Sequence, residues 1–344
     1  MDIRRFFAAS PIRQEKPVAS EPDGVRISVT RGQRTWTISP EEFEDFDFVD
    51  EDRLAVVTEP SEKAFPVTWG DTNVPISPGR AIRVPPVYRL HRFKGFDIPS
   101  HLIALTGAGA DSLDEIGKGH IERYDKYVGL SPGMTLIDLG CGIGRDAFQL
   151  IGYLGEKGRY IGIDVTRDSI RWCQRNITPR HGNFVFHHAD ARNELYNPFG
   201  TIASRDYRLP VADGTVDRIV LASVFTHLLA DEVVHYMEEF RRVLKADGLV
   251  YASFFLYSEE ALAAAAELGN TSWKATFEHR LGDGCYGNDP VYPRGAVAYT
   301  DEAMRRMMDQ AGLRLVRPYL KGWWSGLHGD AAEDGQDVAI LARA

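Results

Sequence analysis

Cysteine is scarce in this chain. Three stand in 344 residues, Cys141, Cys173 and Cys285, and their odd number and wide spacing suit neither a disulfide scaffold nor a paired-thiolate zinc site. Basic charge is in deficit too: 40 Lys and Arg face 49 Asp and Glu, a formal net charge of −9. Non-specific nucleic-acid binding needs a basic surface to displace counterions, so no nucleic-acid partner is expected. No apolar run approaches the roughly 20 residues that span a bilayer, and the opening Met1-Asp2-Ile3-Arg4-Arg5-Phe6-Phe7 is not followed by an apolar h-region. A cytoplasmic protein without a membrane span is the simplest expectation. What the chain does have is 44% hydrophobic against 26% charged residues, enough to bury a core, and a length that allows one large domain or two ordinary ones.

The N-terminal quarter divides by pattern. Residues 1–20 lack apolar periodicity and read as a tail. Ile3-Arg4-Arg5-Phe6-Phe7 resembles the hydrophobic end of a sliding-clamp peptide without its leading Gln, and two phenylalanines packing on the body is the plainer reading. Residues 21–95 read as a β-containing accessory region. Val25–Val29 and Arg34–Ile38 alternate apolar and polar around Arg31-Gly32, which predicts a hairpin. The acidic run from Glu41 to Asp52 reads as a solvated face. Prolines at 66, 75, 78, 85 and 86 argue for an extended connection rather than long regular elements.

From residue 96 to 344 the pattern is βα alternation. Leu102 to Tyr127 predicts one or two helices, and the apolar run Met134–Leu139 predicts a strand covered on both faces. Further strands are expected at Tyr160–Asp164, Phe184–His188, Arg218–Ser223, Leu249–Phe255, Leu313–Tyr319 and Asp337–Ala342. Val233, Met237, Phe240 and Leu244 make one apolar stripe of a helix over Glu232–Leu244, with Asp247-Gly248 as the turn into the next strand. The fold class is α/β: a doubly wound, seven-stranded, mostly parallel sheet with a β-containing N-terminal extension.

The first strand runs into Asp138-Leu139-Gly140-Cys141-Gly142-Ile143-Gly144-Arg145. Alternate glycines let the backbone turn sharply and leave room for a ligand against the main chain, so a side chain at Gly142 is expected to project into ligand space. A dinucleotide fingerprint would want a small residue where Arg145 stands. Asp164 ends the second strand, where a carboxylate can accept hydrogen bonds from both ribose hydroxyls of a nucleoside, or can cap the next helix.

Strand, D-x-G-x-G-x-G, helix and a strand ending in an acid resemble motif I and the second-strand acid of the class I S-adenosylmethionine-dependent methyltransferases, a Rossmann-like fold. The resemblance covers roughly residues 100–344 and continues through Asp190 after the third strand, Leu209-Pro210 to Arg218 before the fourth, and Arg241 to Leu249 before the fifth. It implies S-adenosyl-L-methionine as cofactor. The loop residues Asp138, Gly140, Cys141, Gly142 and Gly144 would contact it, with Asp164 and Val165 at the ribose, Asp190 and Ala191 at the adenine, and Ser223 and Phe225 after the fourth strand. Leu221–Leu229, Ile170-Arg171-Trp172-Cys173 and Tyr196-Asn197-Pro198 are similar to a bacterial subgroup often associated with glycosyltransferases, which implies O-methylation of a hydroxyl of a sugar or glycoconjugate. Another small-molecule acceptor, or a catalytically inactive binding protein of this fold, is the alternative.

His227, shortly after the fourth strand, stands where the donor methyl should point, and histidine titrates near working pH, so it is the candidate general base. His187 and His188 read as structural. Tyr286, Trp324 and His328 fall in the C-terminal half, and an insertion near residues 257–299 is expected to cover the acceptor. The fourth strand ends in Ala222-Ser223 without acids, so no metal is expected. A homo-oligomer is compatible with these features.

Overall fold

A computed structural model of the chain describes residues 90–344, except 108, 269–274 and 291, and six strand segments between residues 27 and 82. Two compact units divide between Leu105 and Thr106, ten residues beyond the break in sequence pattern at 95/96.

The first unit, Arg5–Leu105, contains an antiparallel sheet of four strands in the order Arg34–Ile38, Ile27–Arg31, Leu54–Thr58, Ala81–Ile82. The expected hairpin pairs Ile27 with Ile38. The proline-rich stretch is more regular than its composition implies: Phe65–Trp69 and Thr72–Ile76 pair antiparallel, with Pro66 opposite Pro75. Both prolines, which lack the ladder donor, thus share one rung. A last hairpin, Leu90–Phe93 with Phe96–Pro99, turns through Lys94 and Gly95 at φ 45° and 82°, the doubly positive geometry that matches strand twist. The tail, the Ile3–Phe7 segment and the acidic run lie outside the described residues.

The second unit contains the βα alternation. Helix α1 (Leu113–Val128) leads into β1 (Thr135–Leu139), α2 (Arg145–Leu150), β2 (Arg159–Asp164), α3 (Arg167–Asn176) and β3 (Phe184–His188). Strand β4 (Val216–Leu221), α4 (Ala230–Val243) and β5 (Leu244–Leu256) follow. The order β3-β2-β1-β4-β5 is parallel throughout. The C-terminal strand β10 (Asp337–Arg343) runs antiparallel to β5, and β9 (Leu313–Leu315) antiparallel to β10. These are the seven strands that the sequence pattern marks. Because β1 lies between β2 and β4, the connections leave it in opposite directions, and the crevice outside its carboxyl end is where open α/β sheets hold ligands.

Three further strands enlarge the sheet to ten: β6 (His279–Gly282), β7 (Cys285–Gly287) and β8 (Val297–Tyr299), all from the predicted insertion. Strand β8 adds in parallel to the far end of β5, pairing Phe255 with Ala298. The insertion is therefore anchored to the carboxyl edge by main-chain bonds. Helix α5 (Glu259–Glu267) precedes it, and α6 (Asp301–Ala311) returns the chain to the core.

In α4, Val233, Met237, Phe240 and Val243 are wholly buried. Burial of such side chains contributes about 1.5–3 kcal/mol each, which fixes the helix against the sheet despite its charged outer face. Asp247-Gly248 is not a turn before β5: it belongs to a bulge inside it. The register passes from Val216–Leu244 to Arg218–Leu249, so five steps on β5 match two on β4. No helix among the described residues is long and apolar enough to cross a membrane.

Candidate active site

The apolar run of β1 delivers its last residues to the carboxyl edge, where three glycines all adopt left-handed conformations, Gly140 at φ 79°, Gly142 at 52° and Gly144 at 83°. Gly140 N donates to the Ile163 carbonyl at 2.7 Å, fastening the loop to β2. Asp164 ends β2 almost fully buried. Its Oδ1 accepts from Thr166 N at 2.7 Å and Thr166 Oγ1 at 2.6 Å, and its Oδ2 from Gly142 N at 2.7 Å. Three of the roughly four acceptor sites of a carboxylate are thereby used. The capping contact is thus present, and room remains for one ribose hydroxyl; a bond from both requires a protein donor to let go. Burial raises the Asp164 pKa, while the bonds from Thr166 and Gly142 pull it back.

Beyond β3, Asp190 stands at the surface with Thr201 Oγ1 donating to its Oδ2 and Arg167 Nη2 at 3.9 Å from Oδ1. The Thr201 hydroxyl holds its carboxyl below the usual range. Ala191 is buried, and its carbonyl accepts from Asn197 Nδ2 at 3.0 Å. His188 Nε2 lies 3.2 Å from the Val165 carbonyl, a structural contact beside the second-strand acid.

Two expected cofactor contacts are placed elsewhere. The Phe225 ring is wholly buried and stacks on Phe240, centroids 6.2 Å apart, so it belongs to the core. The Asp138 carboxylate lies behind the loop, where Tyr160 Oη donates to its Oδ2 at 2.5 Å. Cys141 is buried with its Sγ 3.7 Å from the Gly142 carbonyl.

Asp138 belongs to a buried ionisable group. Asp146, at the start of α2, has both oxygens 3.0 Å from His120 Nδ1 and accepts from Tyr124 Oη at 2.9 Å. Burial and the Asp146 charge push the Asp138 carboxyl up to about 8, while Asp146, held by His120, Arg145 and Tyr124 against its own burial, is lowered. One of the two acids stays protonated at neutral pH. The folded state binds the Asp138 proton more tightly than the unfolded chain, so this group makes stability fall as pH rises from about 4 to about 8. Asp138→Asn should flatten that decline. Urea midpoints of both proteins between pH 5 and 8 test this, and parallel pH profiles would refute it.

After β4 the backbone is strained: Ser223, which is not glycine, sits at φ 63°. It is held by a closed ring that sequence inspection did not reveal. Ser223 N donates to Ser253 Oγ at 2.7 Å, Ser253 Oγ to Gln336 Oε1 at 2.7 Å, and Gln336 Nε2 to Ser223 Oγ at 2.8 Å. Three chain segments far apart in sequence, β4, β5 and the approach to β10, meet there.

His227 follows in a short 3₁₀ turn, Phe225–His227. Its Nδ1 lies 2.9 Å from the Arg294 carbonyl, and its ring meets Tyr196 edge-on at 5.5 Å. A carbonyl only accepts, so Nδ1 carries the proton and Nε2 the lone pair. Burial lowers the His227 pKa against the bonds to Arg294 and Gly295, favouring the neutral ring. Arg294 comes from the insertion and is fixed by Glu194 at 2.5 Å and Glu232 at 3.2 Å. Nothing in the sequence signalled that pairing.

A family profile described as a methyltransferase domain matches residues 130–312, more than half of the chain. The chain belongs to that family. Its matched domain is a methyltransferase domain of the class I, S-adenosylmethionine-dependent kind. Among curated relatives, the arsenite methyltransferase of Halobacterium salinarum is 31% identical over 151 residues, 44% of this chain and 33% of that one. The arsenite methyltransferase of Aquipseudomonas alcaligenes is 24% identical over 208 residues, 56% and 57% of the two chains. This methyltransferase thus spans between a third and somewhat over half the length of those relatives. A solved S-adenosylmethionine-dependent methyltransferase from Aquifex aeolicus is 20% identical, with a TM-score of 0.41, over 67% of this chain and 95% of that chain.

The residues present suit that cofactor. The left-handed loop at Gly140, Gly142 and Gly144 brings side-chain-free backbone to the crevice, Asp164 keeps an acceptor site, and Asp190 is partly exposed two residues beyond β3.

Proposed function

We propose that this methyltransferase transfers the cofactor methyl group to a hydroxyl of a sugar or glycoconjugate, with His227 as general base. The observation that carries the chemistry is the bond from His227 Nδ1 to the Arg294 carbonyl, because it leaves Nε2 unprotonated at the carboxyl edge beyond β4. The similarity of Leu221–Leu229 and its companion segments to the glycosyltransferase-associated subgroup supports the sugar. Gly140, Gly142, Gly144, Asp164, Asp190, Ala191 and Ser223 would hold the cofactor, Gly140 through backbone alone. Bound there, the sulfonium supplies a methyl group that an oxygen approaching in line can take. The chain's own residues hold the two reactants in that line, an effect worth roughly 7–11 kcal/mol in general. His227 Nε2 accepts the hydroxyl proton as the new C–O bond forms.

The relatives' names raise arsenite as an acceptor. Arsenic(III) favours soft thiolate ligands, whereas Cys141, Cys173 and Cys285 are all buried. Burial pushes the thiols of Cys141 and Cys173 well up and that of Cys285 to about 11, so none offers a thiolate at neutral pH. The oxygen acceptor is therefore preferred. Incubation with S-adenosylmethionine and separate pools of sugars, nucleotide sugars, glycolipids and arsenite, followed by mass spectrometry of the products, tests it. A methyl group on a sugar oxygen is expected; methylation of arsenic alone, of nitrogen alone, or of nothing would overturn the reading.

A further inference from the structure

A second concave site opens along the same edge, over the end of β5 and the start of β10. Its volume is about 140 Å³, similar to the roughly 150 Å³ cavity that admits one benzene ring, so it takes a substituent rather than a whole sugar. Leu256 and Trp324 form part of its wall, and Lys321 and His328 line it. Its lining carries one ammonium and one carboxylate, differently engaged. Asp337 also lines the cavity, but its carboxylate is spent on three N–H donors: Trp324 Nε1 at 2.6 Å and Leu256 N at 3.0 Å on Oδ2, and Gly322 N at 3.1 Å on Oδ1. Glu260, one turn away on α5, is engaged by its own backbone N–H and the Ser258 hydroxyl. Lys321 is half-buried, and its ammonium has no ion pair or hydrogen bond among the described residues; the His328 ring has none either. Lys321 and His328 are thus the unengaged polar side chains of the lining, while the Asp337 acceptors are taken up by their own donors.

We propose that this cavity binds an anionic substituent, carboxylate or phosphate, of the methyl acceptor, with Lys321 supplying the charge and His328 a further hydrogen-bond donor. The sheet register puts the cavity on the same edge as the segment that leads to the candidate base. Strand β4 pairs Leu221 with Ala252 of β5, and β5 pairs Phe254 with Asp337 of β10, so two strand spacings and a two-residue step along β5, together roughly 12 Å, separate Leu221 at the end of β4 from Asp337. The Ser223–Ser253–Gln336 ring spans that interval. An acceptor lying across it presents its hydroxyl toward His227 while its anion enters the cavity. This assignment rests on the oxygen-acceptor reading for its substrate, though the anion site itself does not. The acceptor class is accordingly an acidic sugar, a uronate or a sugar phosphate, rather than a neutral one.

The test is calorimetric titration of the full chain with inorganic phosphate, acetate, glucuronate, glucose 6-phosphate and glucose. The titrations are repeated with Lys321→Met, His328→Gln and, as control, Lys245→Met, whose ammonium pairs with Asp217 at 2.7 Å on the opposite end of the sheet. Saturable binding of an anion is expected, with affinity falling about 10–100-fold in Lys321→Met, less in His328→Gln, and not in Lys245→Met. Tighter binding of both phosphates than of acetate and glucuronate assigns the phosphate source; tighter binding of glucuronate assigns the carboxylate. Absence of anion binding, or anion binding indifferent to Lys321, overturns the proposal. The two readings fail separately. Lys321-dependent anion binding without methylation of any sugar oxygen removes the sugar and keeps the cavity, whereas methylation of neutral sugars unaffected by Lys321→Met removes the cavity and keeps the sugar.

Discussion

His227→Ala should lower kcat by about 10²–10⁴ while leaving the affinity for S-adenosylmethionine nearly unchanged, because general-base assistance acts on the acceptor proton rather than on donor binding. The more informative variant is His227→Asn. Its side-chain amide can still donate to the Arg294 carbonyl, which His227 Nδ1 approaches at 2.9 Å, but it has nothing in place of Nε2. The asparagine variant should therefore keep the fold and lose the base. The pH dependence has a definite sign. Burial lowers the His227 pKa, so the neutral, competent form persists further into acid than for a free histidine, and the acidic limb of kcat should lie below the ordinary value of about 6.5. That limb should vanish in both variants. Wild-type kcat and an unchanged limb in His227→Asn would show that another group takes the proton.

What the sequence makes legible is what short-range patterning records. The core strands stand out because strands covered on both faces are continuously apolar, as in Leu136–Ile137 of β1, where exposure is zero. The glycine loop is visible because left-handed backbone leaves a compositional mark, three glycines at alternate positions. Contacts between distant segments leave none. Strand β8 is three residues, Val297–Tyr299, and its place beside β5 depends on Phe255 and Leu256 forty residues earlier, so no periodicity announces it. Likewise Arg294 reaches His227 through a carbonyl, a group every residue has. Asp164 shows a different limit. Its position at the end of β2 was readable, but its occupancy was not, since the donors include a glycine N–H made available by the turn of another loop. Ser223 shows the reverse case: a positive φ at a serine is invisible in composition, and the ring through Ser253 and Gln336, with the bond from Thr226 Oγ1 to the Ser223 carbonyl, holds it there.

Gly140→Ala should destabilise this methyltransferase by about 2–5 kcal/mol and weaken cofactor binding with it. Gly142, the position whose side chain was expected to enter ligand space, is not the tightest of the three: a Cβ there would meet only the Thr106 methyl, at 3.2 Å. A Cβ on Gly140 would lie 2.4 Å from Val224 Cγ2, closer than any relaxed contact. Two costs combine. The left-handed conformation at φ 79° costs a residue with a Cβ roughly 1–2 kcal/mol, and forcing a methyl into a filled site roughly 1–3 kcal/mol. At roughly 2–4 °C per kcal/mol for a unit of this size, the melting temperature should fall by roughly 5–20 °C. The shares are separable because Val224 is half-buried at the margin of the core and its truncation opens the space. In Gly140→Ala with Val224→Ala the steric share should return and the conformational share, roughly 1–2 kcal/mol, should remain, giving a favourable coupling in the double-mutant cycle. Donor affinity should recover in the same proportion, since the Gly140 N–H can again reach the Ile163 carbonyl and restore the loop beside Asp164. Additive costs with no coupling would mean that the loop moves away from Val224 without resistance, and that the approach of β1 to the segment after β4 does not shape the cofactor crevice.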